Sequence, residues 1–334
     1  MTEINRQSGY LLGVDTGTSK THALVADLSG QVIGFGHSGP GNYELIGEEG
    51  LIQSLNFAVE EALGVANIPK REIFGMGFGL AGYDWPSERE IMIRAIESLG
   101  ILSAYEFVND ALIGLIAGAS EGWGVAVDAG TGNNVRGRDP SGQVGRITGN
   151  SVRFGEIGGA GELVWQALIA VIYAWTQRGP KTALTQCFMD YAEVPSEAAL
   201  IEGLAMEKIH LPPNLARDVI QTAAEGDPVA LAVIQHTAKE LALNVNAVIR
   251  QLSLQDQSFE IVLIGSLFKA GEIYLEPFRE TIQQFAPQAK FVQLAVPPVV
   301  GAVLLAGETI GINTKTIRNK LIDSTHEYLA FEGD

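Results

Sequence analysis

Apolar positions in the first 110 residues fall in short runs. Residues 10–15 (YLLGVD) form one, closed by Asp15, and residues 16–21 (TGTSKT) are a small polar loop. Residues 22–27 and 31–36 are further apolar runs, parted by the turn signal Ser29-Gly30. Strand, loop, strand, turn, strand is a meander. Residues 48–65 place Leu51, Leu55, Ala58, Val59 and Ala62 at helical spacing. Residues 73–80 form an apolar run of strand length, 86–99 predict a helix opening near its proline, and 105–109 predict a further strand. This opening predicts a mixed α/β sheet flanked by helices.

The pattern then restarts. Residues 122–128 predict a strand closed by Asp128, residues 129–133 a small-residue loop, 134–138 a return strand, 139–142 a turn, and 143–148 another strand. Two copies, beginning near residues 10 and 122, predict two similar domains presenting glycine loops to a shared cleft. Helical periodicity dominates from Gly158 to Phe259. A buried strand over 259–264, a helix from Glu272, a helix opened by Pro298 and an amphipathic stretch over 314–329 complete the expectation. The predicted division is 1–115 and 116–313. A helical insertion occupies about 160–255, and the C-terminal helix, about 314–329, packs back on the first domain.

Composition narrows the function classes. The 334 residues are 46% hydrophobic and 18% charged, enough for a sizeable core. A formal net charge of −17 argues against nucleic acid and anionic membranes as partners. Cys187 is the single cysteine and the five histidines are scattered, which excludes an intramolecular disulfide and argues against a zinc site. No signal-peptide pattern opens the chain, and residues 296–307 are too short and proline-broken to span a bilayer, so a soluble cytoplasmic protein is expected. Thirty of the 39 glycines fall in residues 1–161, predicting tight turns and ligand loops there.

The two loops carry the candidate chemistry. Gly17-Thr-Ser-Lys-Thr21 is not a P-loop, because Ser19 precedes the lysine and a strand follows the loop. A phosphate-binding hairpin fits better. Asp15 can hold Mg²⁺ through water, Gly17, Thr18 and Ser19 can donate to phosphate oxygens, and Lys20 adds charge. Gly130, Thr131 and Gly132 repeat the motif after Asp128. Two such loops can clamp a triphosphate from both sides, which points to ATP.

In this order and spacing, seven segments are together specific: Gly13-Val-Asp-Thr-Gly-Thr-Ser-Lys-Thr21, Gly39-Pro-Gly-Asn42, Gly79-Leu-Ala-Gly82, Val108-Asn-Asp-Ala111, Ala129-Gly-Thr-Gly-Asn133, Gly155-Glu-Ile-Gly-Gly159 and Val262-Leu-Ile-Gly-Ser266. Over about residues 11–306 the chain resembles the BadF/BadG/BcrA/BcrD ATPase group, in its N-acetylglucosamine kinase-like branch, within the actin/hexokinase/Hsp70 superfamily. The resemblance implies two ribonuclease H-like (actin-like ATPase) domains around a nucleotide and substrate cleft. It implies ATP-dependent phosphorylation of N-acetylglucosamine or a related hexosamine, with Asp110 as base. It places Asn42, Gly82, Asn109, Asp110 and Glu156 on the substrate side, Gly265 and Ser266 on the adenosine side, and Asp128 near Mg²⁺. It also suggests a homodimer. The family's usual Gly-Asp-Glu-Gly-Ser reads Gly155-Glu-Ile-Gly-Gly159 here, with Ile157 at the second acidic position. Two alternatives follow. One is a BadF/BadG-type ATPase with a non-kinase role; the iron–sulfur activators of that branch need paired cysteines, which a lone Cys187 does not supply. The other is a regulator that binds nucleotide or sugar without turnover, motivated by the altered loop.

Overall fold

The structure is a computed structural model and describes residues 9–329. Two five-stranded mixed sheets share one topology. In the first, β1 (Tyr10–Thr16) runs antiparallel to β2 (Thr21–Asp27), which pairs β3 (Val32–Ser38). On its other side β1 runs parallel to β4 (Ile73–Leu80), which pairs β5 (Ala104–Asn109). In the second, β6 (Gly124–Ala129) runs antiparallel to β7 (Asn133–Arg138), which pairs β8 (Val144–Arg146), and parallel to β9 (Glu260–Ile264), which pairs β10 (Lys290–Gln293). The order β3-β2-β1-β4-β5 is thus repeated as β8-β7-β6-β9-β10.

Helices cover both faces. α1 (Tyr43–Ala66) buries Leu51, Leu55, Ala58, Val59 and Ala62 against the first sheet, with α2 (Arg89–Glu97) beside it. Its apolar stripe begins beyond Gly47, whose φ of 72° kinks the helix, so residues 43–47 form an extra turn that the periodicity did not reveal. Between the sheets lie α3 (Asp110–Gly118) and α10 (Val299–Thr309), apolar on nearly every side, as a helix buried between two layers must be. The second sheet carries on its far face the helical run α4 (Ala160–Trp175), α5 (Leu184–Ala192), α6 (Glu197–Ala205), α7 (Ala216–Ala224) and α8 (Pro228–Gln251), joined by α9 (Glu272–Gln283). The terminal helix α11 (Thr314–Thr325) returns to the first sheet, where Ser324 Oγ accepts from the Val32 amide at 3.0 Å.

Many early glycines serve packing rather than ligand loops. On β4, a Cβ at Gly77 would lie 2.1 Å from the Ala302 carbonyl oxygen of α10, so glycine there lets helix and sheet touch backbone to backbone. Gly77→Val is expected to destabilise the chain by about 3 kcal/mol or more, because neither backbone can yield cheaply. A thermal melt checks this; a midpoint within a degree of wild type would contradict it.

Candidate active site

β1 and β6 each carry a carboxylate one residue before their C-terminal end, Asp15 and Asp128, followed by a small-residue loop, and the two ends face each other across a cleft of about 760 Å³. The pairing is why. A central strand with one antiparallel and one parallel neighbour leaves its C-terminal end open beside a crossover, the place where α/β sheets bind ligands. Asp15 sits opposite Gly79 on β4 and His22 on β2; Asp128 sits opposite Ile264 on β9 and Asn134 on β7.

The first loop is pinned from behind. Thr16 is buried, and its Oγ1 donates to the Gly79 carbonyl at 3.3 Å and accepts from the Ala81 amide at 3.1 Å. Thr18 and Lys20 line the cleft. Gly17 and Ser19 are not among its lining residues; the Gly17 amide is spent on the Lys20 carbonyl at 2.9 Å, closing the hairpin. The second loop places Gly130, Thr131 and Gly132 in the cleft. Two of its carbonyls are taken by the first turn of α4, Gly130 by the Ala160 amide at 2.9 Å and Thr131 by the Gly161 amide at 2.8 Å. Gly265, with φ of 101°, packs directly on this loop, since a Cβ there would lie 2.5 Å from the Ala129 carbonyl carbon. Gly265 and Ser266 therefore lie beside the second loop and line the same cleft. Beyond them a further cavity of about 450 Å³ shares Gly130, Thr131 and Ser266 and is walled by Pro213, Asn214, Arg217 and Ile220. Sequence reading missed this wall, because it lies in the helical run with no motif of its own.

At the other end, Asn109 and Asp110 begin α3. Asn109 is buried and caps the helix, its Oδ1 accepting from the Ala111 amide at 3.1 Å and from Asn134 Nδ2 at 3.2 Å. Asp110 lines the cleft, and its Oδ1 accepts from the Ala111 amide at 2.9 Å. Asn42 caps α1, its Oδ1 accepting from the Glu44 amide at 3.0 Å, so its amide NH₂ is the part left for a ligand. Gly82 packs against that Oδ1, and both residues line the cleft. Glu156 does not line it. Its carboxylate is buried in the turn over 148–150, accepting from the Thr148 amide at 2.6 Å, Thr148 Oγ1 at 2.9 Å and the Asn150 amide at 3.0 Å. His22, Glu44, Asp84 and Asn134, which the sequence did not single out, also line the cleft, as does Asn133 at the end of the second loop. The Oδ1 atoms of Asn133 and Asn134 are buried without a hydrogen-bond partner, a costly state that a polar ligand would relieve.

Electrostatics set the protonation. Burial, helped by repulsion from Asp110 and opposed by Lys20, pushes Asp15 up to about 7. Burial also pushes Asp110 up to about 6, the Ala111 amide opposing it, Asp84 reinforcing it and Arg136 opposing it. Burial, with Lys20 and His37 adding to it, drops His22 to about 4, so it is neutral at pH 7. Among the described residues no three His, Cys, Asp or Glu side chains converge into a self-sufficient metal cage. Two facing carboxylates are instead the hard-oxygen donor set that suits Mg²⁺ completed by water and phosphate oxygens.

Carboxylates near the ends of two central strands, small-residue loops facing each other and an acid at a helix start between them, carried on two sheets of one topology, are the arrangement of the actin-like class. The chain belongs to the BadF/BadG/BcrA/BcrD ATPase family, whose model matches residues 12–306. It is 28% identical over 302 residues to the N-acetylmuramic acid/N-acetylglucosamine kinase of Clostridium acetobutylicum, covering 89% of this chain and 98% of that one. It is 25% identical over 308 residues to the N-acetyl-D-glucosamine kinase of Dictyostelium discoideum, covering 88% and 97%. Its fold is shared with the structure of a proposed N-acetylglucosamine kinase from Chromobacterium violaceum, at a TM-score of 0.66 and 22% identity, covering 90% and 99%. Among the described residues no helix is long and apolar enough to cross a membrane.

Proposed function

We propose that this protein is an ATP-dependent kinase of N-acetylglucosamine or a closely related hexosamine. The observation that carries the reading is Asp110, a carboxylate at the start of α3 with a proton affinity raised to about 6, in the same cleft as both phosphate loops. The relatives' activities support the sugar class. The triphosphate lies between the 16–20 and 129–132 loops, with adenosine toward Gly265, Ser266 and the Pro213–Arg217 wall. The sugar lies toward Asn42, Gly82 and Asn134. Asp110 accepts the proton of the attacking hydroxyl as the γ-phosphoryl group leaves ADP in line. Mg²⁺, held by Asp15 and Asp128 through water, would neutralise charge on the phosphates. The loops and Lys20 then supply positioning and further positive potential, the larger part of phosphoryl-transfer catalysis. Closure of two lobes, divided near residue 115, would keep water from competing for the γ-phosphoryl group.

An ADP-release assay with Mg·ATP and a panel of hexoses and amino sugars tests the reading. Stimulation by N-acetylated hexosamines is expected. ATP binding without stimulation by any sugar would favour a binding-only regulator.

We further propose a homodimer, supported by the exposed Trp165, Tyr173 and Trp175 of α4. Light scattering should find a dimer in the wild type and a monomer in Trp165→Glu; a wild-type monomer would remove the proposal.

A further inference from the structure

Arg136 lies on β7 of the second sheet and Asp84 in the loop after β4 of the first, yet the two form an ion pair, Arg136 Nη2 donating to Asp84 Oδ1. The Arg136 side chain is only 4% exposed, the most buried partner of any ion pair among the described residues. A second contact runs beside it. Arg146 of β8 donates to the Asp84 carbonyl and its guanidinium lies 4.3 Å over the Trp85 ring. The first sheet closes the circuit: Asn109 Nδ2 donates to Asp84 Oδ1 and to the Tyr83 carbonyl, each at 3.3 Å, while Asn109 Oδ1 caps α3 and receives Asn134 of β7. Asp84 and Asn109 are also the wall between the catalytic cleft and a neighbouring cavity of about 830 Å³, which Arg136 lines from behind.

A buried ion pair is a poor investment in stability, since desolvation consumes most of its attraction. What this one supplies is geometry across the seam. We propose that Asp84 and Arg136 are an interlobe positioning pair for the phosphotransfer site: meeting across the seam, they lock Asn109 and the first turn of α3, and so hold the Asp110 carboxylate in place and shut the cleft from the cavity behind it. The proposal rests on the kinase reading and deepens it. The pair touches neither substrate in this scheme; it acts through Asn109 and through its field at Asp110.

The charged groups facing Asp110 are Asp15 from β1, Asp84 from the β4 loop and Arg136 from β7, with Lys20 acting on Asp15. Asp84 strengthens the hold of Asp110 on its proton and Arg136 weakens it. The two members of one pair therefore make opposite predictions, which a general loss of packing would not. Arg136→Met keeps the side-chain stem and Asp84→Asn is isosteric. In each, kcat for the sugar should fall about tenfold or more while the Kd for ATP moves less than about twofold. The double variant should lose less than the product of the two. The acid limb of the kcat/KM profile should move to higher pH in Arg136→Met and to lower pH in Asp84→Asn. Titration of the ¹³C-labelled Asp110 carboxyl should show the same opposed shifts without any turnover. Both variants active within about twofold of wild type, or both profiles unmoved or moved the same way, would overturn the proposal. If the wild type phosphorylates no sugar, the kinase reading falls, and the carboxyl titration alone decides for or against the pair.

Discussion

Asp110→Asn is expected to lower kcat for sugar phosphorylation by about 10²-fold or more, the usual cost of removing a positioned general base. The substitution is nearly isosteric, and Asn can still accept from the Ala111 amide, so neither α3 nor its cap need move. The same variant should be more stable than the wild type at pH 8. The folded carboxyl titrates near 6, above its ordinary value of 3.8, so between those values the folded chain binds more protons than the unfolded one. Its contribution to stability is therefore complete below about 3.8 and is lost as pH rises through about 6. An amide at this position never ionises and escapes that loss. Turnover slowed by about 10²-fold or more with a raised melting temperature at pH 8 is the expected pair of results. A melt lowered by several degrees would mean that Asp110 holds the helix rather than the proton. In the wild type, kcat/KM should fall as pH drops below about 6, where the base is protonated in the free enzyme.

Asp15→Asn carries the second large effect. Asp15 is the penultimate residue of β1, beside the hairpin that holds Thr18 and Lys20, and it lines the same cleft as Asp128. Removing its charge takes away half of the proposed oxygen donor set. We expect kcat to fall by about 10²-fold and the half-saturating magnesium concentration to rise about tenfold. ATP binding measured in chelator should change little, because in the proposed function the loops rather than the carboxylate grip the phosphates. Unchanged magnesium dependence would place the ion elsewhere.

The repeated unit was legible because each copy is local. Asp15 and Asp128 close apolar runs of strand length, and each is followed within six residues by a glycine-threonine loop and a return strand, so the opening hairpin of each sheet could be read from a short stretch. β10 was not legible: Lys290–Gln293 is four residues with charge and polarity at its ends, too short to show alternation. Most of the expected cleft residues do line it, Asn42, Gly82, Asp110 and Gly265 among them. Glu156 shows the limit of carrying a motif by position alone. It occupies the expected loop, but three donors within eight residues turn its carboxylate into that loop. The glycine asymmetry likewise had two causes, and only one was ligand binding. Gly130 and Gly132 line the cleft, whereas Gly77 lets a helix lie on a sheet. Asp84 and Arg136, separated by 52 residues, carried no signal, because their relation exists only once the two sheets face each other.

In the proposed function this cleft moves a phosphoryl group from ATP to an amino-sugar hydroxyl. Incubation with Mg·ATP and N-acetylglucosamine, followed by mass spectrometry of the sugar, tests it most directly. A monophosphorylated sugar formed in equal amount with ADP is expected, and about 10²-fold less or lower still in the same time from Asp110→Asn. ADP released with no phosphorylated sugar, or no ADP released from bound ATP with any hexosamine offered, would contradict it.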